Sequence, residues 1–265
     1  MPNICVLGAG IIGISSAVVI QQYVPHSNVT IISDQFSPNT TSDVAAGLIE
    51  PYLCGDDPNK IIRWTTDTIN KIEQYMADGN IGAQEKSGYF VSSQKSVPEW
   101  LKIMKNVHIL NDEEMKRMAK REDHKFGVFF TTWYLEPTAY IQYCTKIFLK
   151  NGGKTQQKTI NSVEELDDKY DMIVNCTGLG SRLLFGDQSI RPCRGQIMRV
   201  SCPPVKHFFF DDNFYCLLND DCLILGGTKQ MDDWNLEVDK ETSKKIFEGN
   251  CVNIPALKVF QPSFI

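Results

Sequence analysis

The chain has 265 residues, 42% of them hydrophobic and 22% charged, with a net charge of −5. That length buries one large core or two smaller ones, and the composition is that of a globular chain. No basic stripe or Lys/Arg-rich run is present, which argues against nucleic acid, and the longest apolar runs fall far short of a membrane span. Nine cysteines are scattered singly, without a Cys-x-x-Cys pair or a Cys/His cluster, so no metal site is expected. The N-terminus runs straight into a strand with no charged or apolar leader, so reduced, mostly buried thiols are expected.

Ile4, Val6 and Leu7 read as a short buried strand, and residues 14–22 as an apolar helix. Between them Gly8, Gly10 and Gly13 form G-x-G-x-x-G. In that context Gly8 permits the tight turn, Gly10 lets a pyrophosphate approach the backbone, and Gly13 lets helix and strand pack closely. The helix N-terminus then offers free N–H groups to the phosphates. A second strand over 28–33 ends at Asp34, about 20 residues past the glycines, where an acidic residue meets an adenosine ribose. The alternative is an ordinary strand–turn–helix with chance glycines. Residues 34–52 start as turn chemistry around Pro38 and Asn39 and end small and apolar, suited to close approach to a flat ligand.

Helical spacing recurs over 58–76, with Trp64 read as a core residue rather than a ligand-stacking one. A strand is expected over 87–92, helices over 98–104 and 112–121, and a strand over 127–134. A helix over 136–150 has Pro137 in its first turn, and strands over 158–160 and 171–175 flank a short helix at 162–166. Short strands over 205–210, 214–218 and 222–225 form a meander, and a helix covers 241–251.

Residues 33–47, Ser-Asp-Gln-Phe-Ser-Pro-Asn-Thr-Thr-Ser-Asp-Val-Ala-Ala-Gly, lie behind the glycine motif at a telling distance. The run resembles the second signature of the D-amino-acid oxidase and D-aspartate oxidase family of FAD flavoenzymes. Residues 171–180, Asp-Met-Ile-Val-Asn-Cys-Thr-Gly-Leu-Gly, resemble the strand and turn that pass under the family's cofactor. Arg194-Gly195-Gln196 resembles the strand leading into the substrate domain. Residues 225–235, Leu-Gly-Gly-Thr-Lys-Gln-Met-Asp-Asp-Trp-Asn, are more similar to the D-aspartate oxidase branch. The resemblance runs from residue 3 to about residue 258, and 259–265 form an unmatched tail. Family members continue with an arginine for the substrate α-carboxylate, a Gly-rich segment and a peroxisomal tripeptide. Ser263-Phe264-Ile265 is not of the Ser-Lys-Leu kind. This form is therefore expected to be truncated, to bind FAD weakly, to turn over slowly or not at all, and to stay cytoplasmic where the family is peroxisomal.

The resemblance implies an α/β fold with a discontinuous Rossmann-like FAD domain, 1–50 and 136–195, and a mixed-sheet substrate domain, 51–135 and 196–258. It implies FAD-dependent oxidative deamination of acidic D-amino acids. The α-hydrogen leaves as hydride to flavin N5, O2 reoxidises the flavin to give H2O2, and the imino acid hydrolyses to a 2-oxo acid and ammonia. Carried over by position, Gly8, Ala9, Gly10 and Gly13 take the pyrophosphate, and Asp34 and Gln35 lie at the ribose. Thr40, Thr41 and Ser42 serve phosphate and ribitol, Ala46, Gly47 and Leu48 line the flavin, and Ile160 and Thr177 offer backbone contacts. Tyr215 binds the substrate α-carboxylate, or is a half-buried strand tyrosine. Lys229 takes the side-chain carboxylate where that branch has arginine, or is a surface lysine. Three other readings stay open: a broad neutral D-amino-acid oxidase, an NAD-dependent dehydrogenase, and a non-catalytic family fragment.

Overall fold

The computed structural model describes residues 1–52, 54–79 and 81–259. In chain order these form β1 (Asn3–Leu7), α1 (Ile11–Tyr23), β2 (Asn28–Ser33), α2 (Pro58–Asp78), β3 (Ala83–Ser92), β4 (Lys105–Ile109), α3 (Asp112–Met118) and β5 (Phe126–Leu135). There follow α4 (Pro137–Lys150), β6 (Lys154–Gln157), β7 (Met172–Asn175), α5 (Ser181–Leu184), β8 (Cys193–Arg194), β9 (Met198–Val200) and β10 (Phe208–Phe210). The remainder is β11 (Tyr215–Leu218), β12 (Leu223–Gly226), β13 (Gln230–Met231), α6 (Lys240–Asn253) and α7 (Ala256–Val259). Of the tail, 260–265 lie outside the described residues.

Two compact units share this chain. The first comprises Met1–Ala45 and Glu136–Pro192, the second Ala46–Leu135 and Cys193–Ile265. Residues 46–50 fall in the second unit because they pair with the end of β5, and Cys193 and Arg194 because they pair with β13.

The first unit is a four-stranded parallel sheet in the order β6-β2-β1-β7. Ile4 stands opposite Val29 on one side and Met172 on the other, so the expected parallel strands over 3–7, 28–33 and 171–175 are neighbours. Cys5, Val6 and Leu7 are buried, as a central parallel strand requires. α1 buries Gly13, Ile14, Ala17 and Val18. One expectation fails here. The edge strand is Lys154–Gln157, not 158–160. Edge pairing with β2 needs backbone hydrogen bonds rather than apolar side chains, and the residues of β6 are polar and exposed. Ile160 packs instead beside Cys5, Leu7, Ile32 and Leu166.

The second unit holds a seven-stranded mixed sheet, β4-β5-β3-β10-β11-β12-β9, and the two-stranded β13-β8. β3 and β5 pair antiparallel over their whole length, from Ala83 opposite Leu135 to Ser92 opposite Phe126. Phe130, Phe208, Cys216, Ile224, Ile246 and Leu257 form the centre of its core, with no exposed surface. Residues 98–104 do not make an α-helix but a 3-10 stretch, Glu99–Ile103, because the chain turns at once into β4. β4 is solvent-exposed along its length, so no apolar alternation announces it. Trp64 is 48% exposed and is not a core residue. All nine thiols are free, and most are buried. Among the described residues no helix is long and apolar enough to cross a membrane, and no three metal-ligating side chains converge.

The turn ahead of β11 is tied by Asp211, whose side chain has no exposed surface. Its Oδ1 accepts from the N–H groups of Asn213 (2.8 Å) and Phe214 (2.6 Å). Its Oδ2 accepts from Arg121 Nε (3.1 Å) and from Asn253 Nδ2 (2.7 Å) on α6. Removing a buried carboxylate leaves the guanidinium and two N–H groups without their acceptor, at a cost of about 3–5 kcal/mol. Asp211→Ala should therefore lower the melting temperature by on the order of 10 °C in a circular-dichroism melt. A shift within a degree or two of wild type would refute this account.

Candidate active site

The first unit builds its site where β1 turns into α1. Gly8 has φ of 101°, and a Cβ there would lie 2.3 Å from the carbonyl oxygen of Cys176. A Cβ on Gly13 would lie 1.9 Å from the carbonyl oxygen of Gly8. Both positions exclude any side chain, and buried Ala9 lies between them on the turn. Gly10 caps α1 without a side chain, and a Cβ on it would reach to 3.0 Å from Ser42 Oγ. That hydroxyl accepts from Ile11 N–H (3.0 Å). The first N–H groups of a helix have no acceptor within the helix, and the dipole makes this end positive. A glycine cradle at such a helix end fits a dinucleotide pyrophosphate. Asp34 and Gln35 lie exposed just past β2. Gln157 Nε2 donates to the Asp34 carbonyl (3.0 Å), which fixes the backbone, and Gln35 N–H donates to Asp34 Oδ1 (2.9 Å).

Thr40, Thr41 and Ser42 sit at the start of a short 3-10 turn, Thr41–Val44. The organiser of this turn is Asp43, a buried residue that the sequence pattern did not single out. Its carboxylate accepts from Ser37 Oγ (2.6 Å), Thr40 Oγ1 (2.6 Å), Thr40 N–H (3.0 Å) and Thr138 Oγ1 of α4 (2.8 Å). Burial raises its pKa, but these donors together outweigh that and hold the carboxyl below its ordinary value. The Thr40 hydroxyl is thus committed to the loop, while Thr41 is exposed. On the far side of β1, Thr177 donates its N–H (3.1 Å) and hydroxyl (2.7 Å) to Asn175 Oδ1. Ile160 turns its side chain into the core, so only its backbone is left to meet a ligand.

In the second unit Ala46, Gly47 and Leu48 run antiparallel to the end of β5. Leu135 N–H donates to the Gly47 carbonyl (2.9 Å), Ile49 N–H donates to the Trp133 carbonyl (2.8 Å), and Leu48 bridges to Tyr134. Gly47 has φ of 83°, and a Cβ there would stand 2.0 Å from the Leu135 carbonyl oxygen. Tyr215 opens β11, half-buried, opposite Gly226 of β12. Its ring lies where a Gly226 side chain would be, with Cζ 2.0 Å from that ideal Cβ. Burial pushes the Tyr215 phenol up, and the charge of a Tyr52 phenolate adds to this. Tyr52 is raised in turn by burial, then by Cys193 and Glu50. Glu50, which no sequence motif marked, has its carboxyl pushed up to about 8 by burial. Glu50, Tyr52 and Tyr215 thus form one electrostatically linked set. Lys229 is exposed between β12 and β13.

The sequence matches the family profile of the FAD dependent oxidoreductases, DAO, over residues 3–261, a little beyond the expected limit near 258. The chain belongs to the FAD dependent oxidoreductase family. FAD is its cofactor. D-aspartate oxidase from Homo sapiens is 38% identical over 264 residues, covering 96% of this chain and 76% of the relative. D-amino acid oxidase from Dugesia ryukyuensis is 34% identical, covering 93% and 76%. In fold the chain is similar to glycine oxidase from Bacillus cereus, with a TM-score of 0.77, 17% identity, and coverage of 100% of this chain and 81% of that one. It is likewise similar to FAD-bound L-alpha-glycerophosphate oxidase from Mycoplasma pneumoniae, with a TM-score of 0.76, 14% identity, and coverage of 99% and 81%.

Two expectations follow. Gly13→Ala forces the α1 turn off β1 and should weaken FAD binding at least about tenfold, a loss of ~1.4 kcal/mol or more. Fluorescence titration with FAD reads this, and unchanged affinity would contradict the cradle. Glu50 has an ordinary value of 4.5 and a folded value of about 8. The folded state therefore holds its proton where the unfolded state has lost it, and the Glu50 contribution to stability falls as pH rises between those values. Glu50→Gln, which cannot ionise, should remove that slope, so its melting temperature relative to wild type climbs between about pH 5 and about pH 8. Parallel profiles would show that Glu50 ionises freely.

Proposed function

We propose that this FAD-dependent oxidoreductase acts on acidic D-amino acids, D-aspartate and D-glutamate, giving the 2-oxo acid, ammonia and H2O2. The observation that carries the reading is Lys229, an exposed cation directly after Gly226-Gly227-Thr228, in the same unit as Tyr215. A dicarboxylate needs a positive group for its second carboxylate, and a neutral substrate does not. The 38% identity to human D-aspartate oxidase supports the same choice.

Bound FAD supplies the hydride acceptor, and O2 is the final oxidant. The chain supplies position and charge. The raised pKa of Tyr215 keeps its phenol protonated, so it donates a hydrogen bond to the α-carboxylate. Lys229 attracts the side-chain carboxylate as a point charge, without the two-pronged geometry of arginine. Glu50 stays largely protonated at neutral pH and so sets no full negative charge beside Tyr52. An anionic substrate benefits from that neutrality.

A second reading, a broad oxidase of neutral D-amino acids, is favoured by the exposure of Lys229 and by the 34% identity to the Dugesia D-amino acid oxidase. Oxygen consumption with D-aspartate, D-glutamate, D-alanine and D-methionine separates the two. The acidic pair should be the faster. Lys229→Met should lower kcat/KM for D-aspartate by roughly 10- to 150-fold, the ~1.5–3 kcal/mol of a charged hydrogen bond, and leave D-alanine nearly unchanged. Faster turnover of the neutral pair by the unaltered protein would sink the proposal.

A further inference from the structure

Residues 228–239 carry Lys229 and have little apolar anchorage. Trp234, Leu236 and Val238 all point to solvent, with Leu236 94% exposed. Two asparagine/aspartate turns shape the stretch locally, Asn235 N–H to Asp233 Oδ1 (2.9 Å) and Glu237 N–H to Asn235 Oδ1 (2.9 Å). Since burial does not hold it, polar contacts must.

Those contacts converge on two residues of the Arg194-Gly195-Gln196 run. Arg194 is 9% exposed, on β8, where it pairs with Gln230 of β13. Its Nε donates to the Asn235 carbonyl (2.6 Å) and its Nη2 to the Glu237 carbonyl (2.6 Å). Nη1 donates to Gln230 Oε1 (2.5 Å), and Nη2 also reaches Gln196 Oε1 (3.1 Å). Buried Gln196 closes both ends of the stretch. Its N–H donates to Thr228 Oγ1 (2.7 Å), and its Nε2 donates to the Asp239 carbonyl (2.8 Å) and to Ser243 Oγ (2.8 Å). Its Oε1 accepts from Asp239 N–H (2.9 Å). Thr228 and Gln230, the neighbours of Lys229 on either side, are therefore each held by one of the pair.

We propose that Arg194 and Gln196 are positioning residues that set the preference for acidic substrates, by fixing the 228–239 stretch and with it the place of the Lys229 ammonium. The inference rests on the reading of Lys229 given above. A guanidinium presents five donors in a rigid plane and is spent here on four acceptors in different directions. A lysine keeps the charge but not the fork. Displacement of a charge by about 1 Å costs a well-aligned contact up to ~100-fold.

The test compares Arg194→Lys, Thr228→Val and Lys229→Met as FAD-loaded proteins on D-aspartate and D-alanine. Arg194→Lys should lower kcat/KM for D-aspartate about 10- to 100-fold, mostly through KM, and D-alanine less than about threefold. Thr228→Val keeps the side-chain shape and removes one anchor, so it should shift the same ratio by a smaller factor. Amide hydrogen exchange should accelerate over 230–239 in Arg194→Lys and be unchanged in Lys229→Met. Parallel loss on both substrates, or unaltered exchange over 230–239, would overturn the positioning role. If Lys229→Met leaves the substrate ratio unchanged, the reading of Lys229 fails and this proposal falls with it. If Lys229→Met shifts the ratio and neither Arg194→Lys nor Thr228→Val does, the positioning proposal alone is wrong. Arg194→Lys protein that fails to fold leaves Thr228→Val, with the same two readouts, as the deciding variant.

Discussion

The first unit depends on one backbone crossing. The Gly8 carbonyl occupies the space that any side chain on residue 13 would need, and the Cys176 carbonyl occupies that of residue 8. Three chain segments, the end of β1, the start of α1 and the turn after β7, meet there, backbone against backbone at Gly8 and Gly13. Close approach puts the helix N-terminus beside the carboxyl ends of β1, β2 and β7. That is the end of a parallel sheet at which ligands are bound, and it brings Asp34, Ser42 and Thr177 to one edge. The cost is conformational, since glycine loses more freedom on folding than any other residue. The parallel sheet offsets it by burying Ile4, Val6, Ile31 and Ile32.

The remaining order is imposed by single polar side chains that each gather several donors or acceptors. Asp43 gathers three hydroxyls, Asp211 two N–H groups with an arginine and an asparagine, and Arg194 two carbonyls and two amides. Each is buried or nearly so, and each fixes a loop. Such centres contribute little net stability when intact, because desolvation opposes the bonds formed, yet breaking one leaves several groups unpaired. They therefore define shape more than they add strength. The stretches they define, 37–43, 211–214 and 228–239, contain or directly precede the residues assigned to cofactor and substrate.

Much of the first unit was legible from the sequence because its signals are local. A glycine spacing, an apolar strand and an acidic residue at a set distance specify one turn. Two edge strands, one in each unit, were harder. β4 is exposed along its length and β6 is polar, so neither has the alternation that marks a half-buried strand, and both exist through pairing with a distant segment. Asp43 and Glu50 were missed for a related reason. Their character comes from what surrounds them, hydroxyls from 37, 40 and 138 in one case and burial in the other, and neither is visible along the chain. Trp64 shows the reverse error, since helical spacing placed it inward while the α2 face it occupies meets solvent.

The exposed β4 edge has a consequence for behaviour at high concentration. A bare edge strand is a template for another chain, and sheets with long flat edges add strands and precipitate. β4 is ill suited to that. Its register with β5 slips between Lys105 and His108, and Asn106 sits at φ of 51°, so the strand carries a bulge. Lys105 is bound there to Glu73 and Glu85, which sets a desolvation barrier against any docking strand. The bulge and the bound lysine thus disfavour edge-to-edge stacking of neighbouring molecules on that side of the sheet.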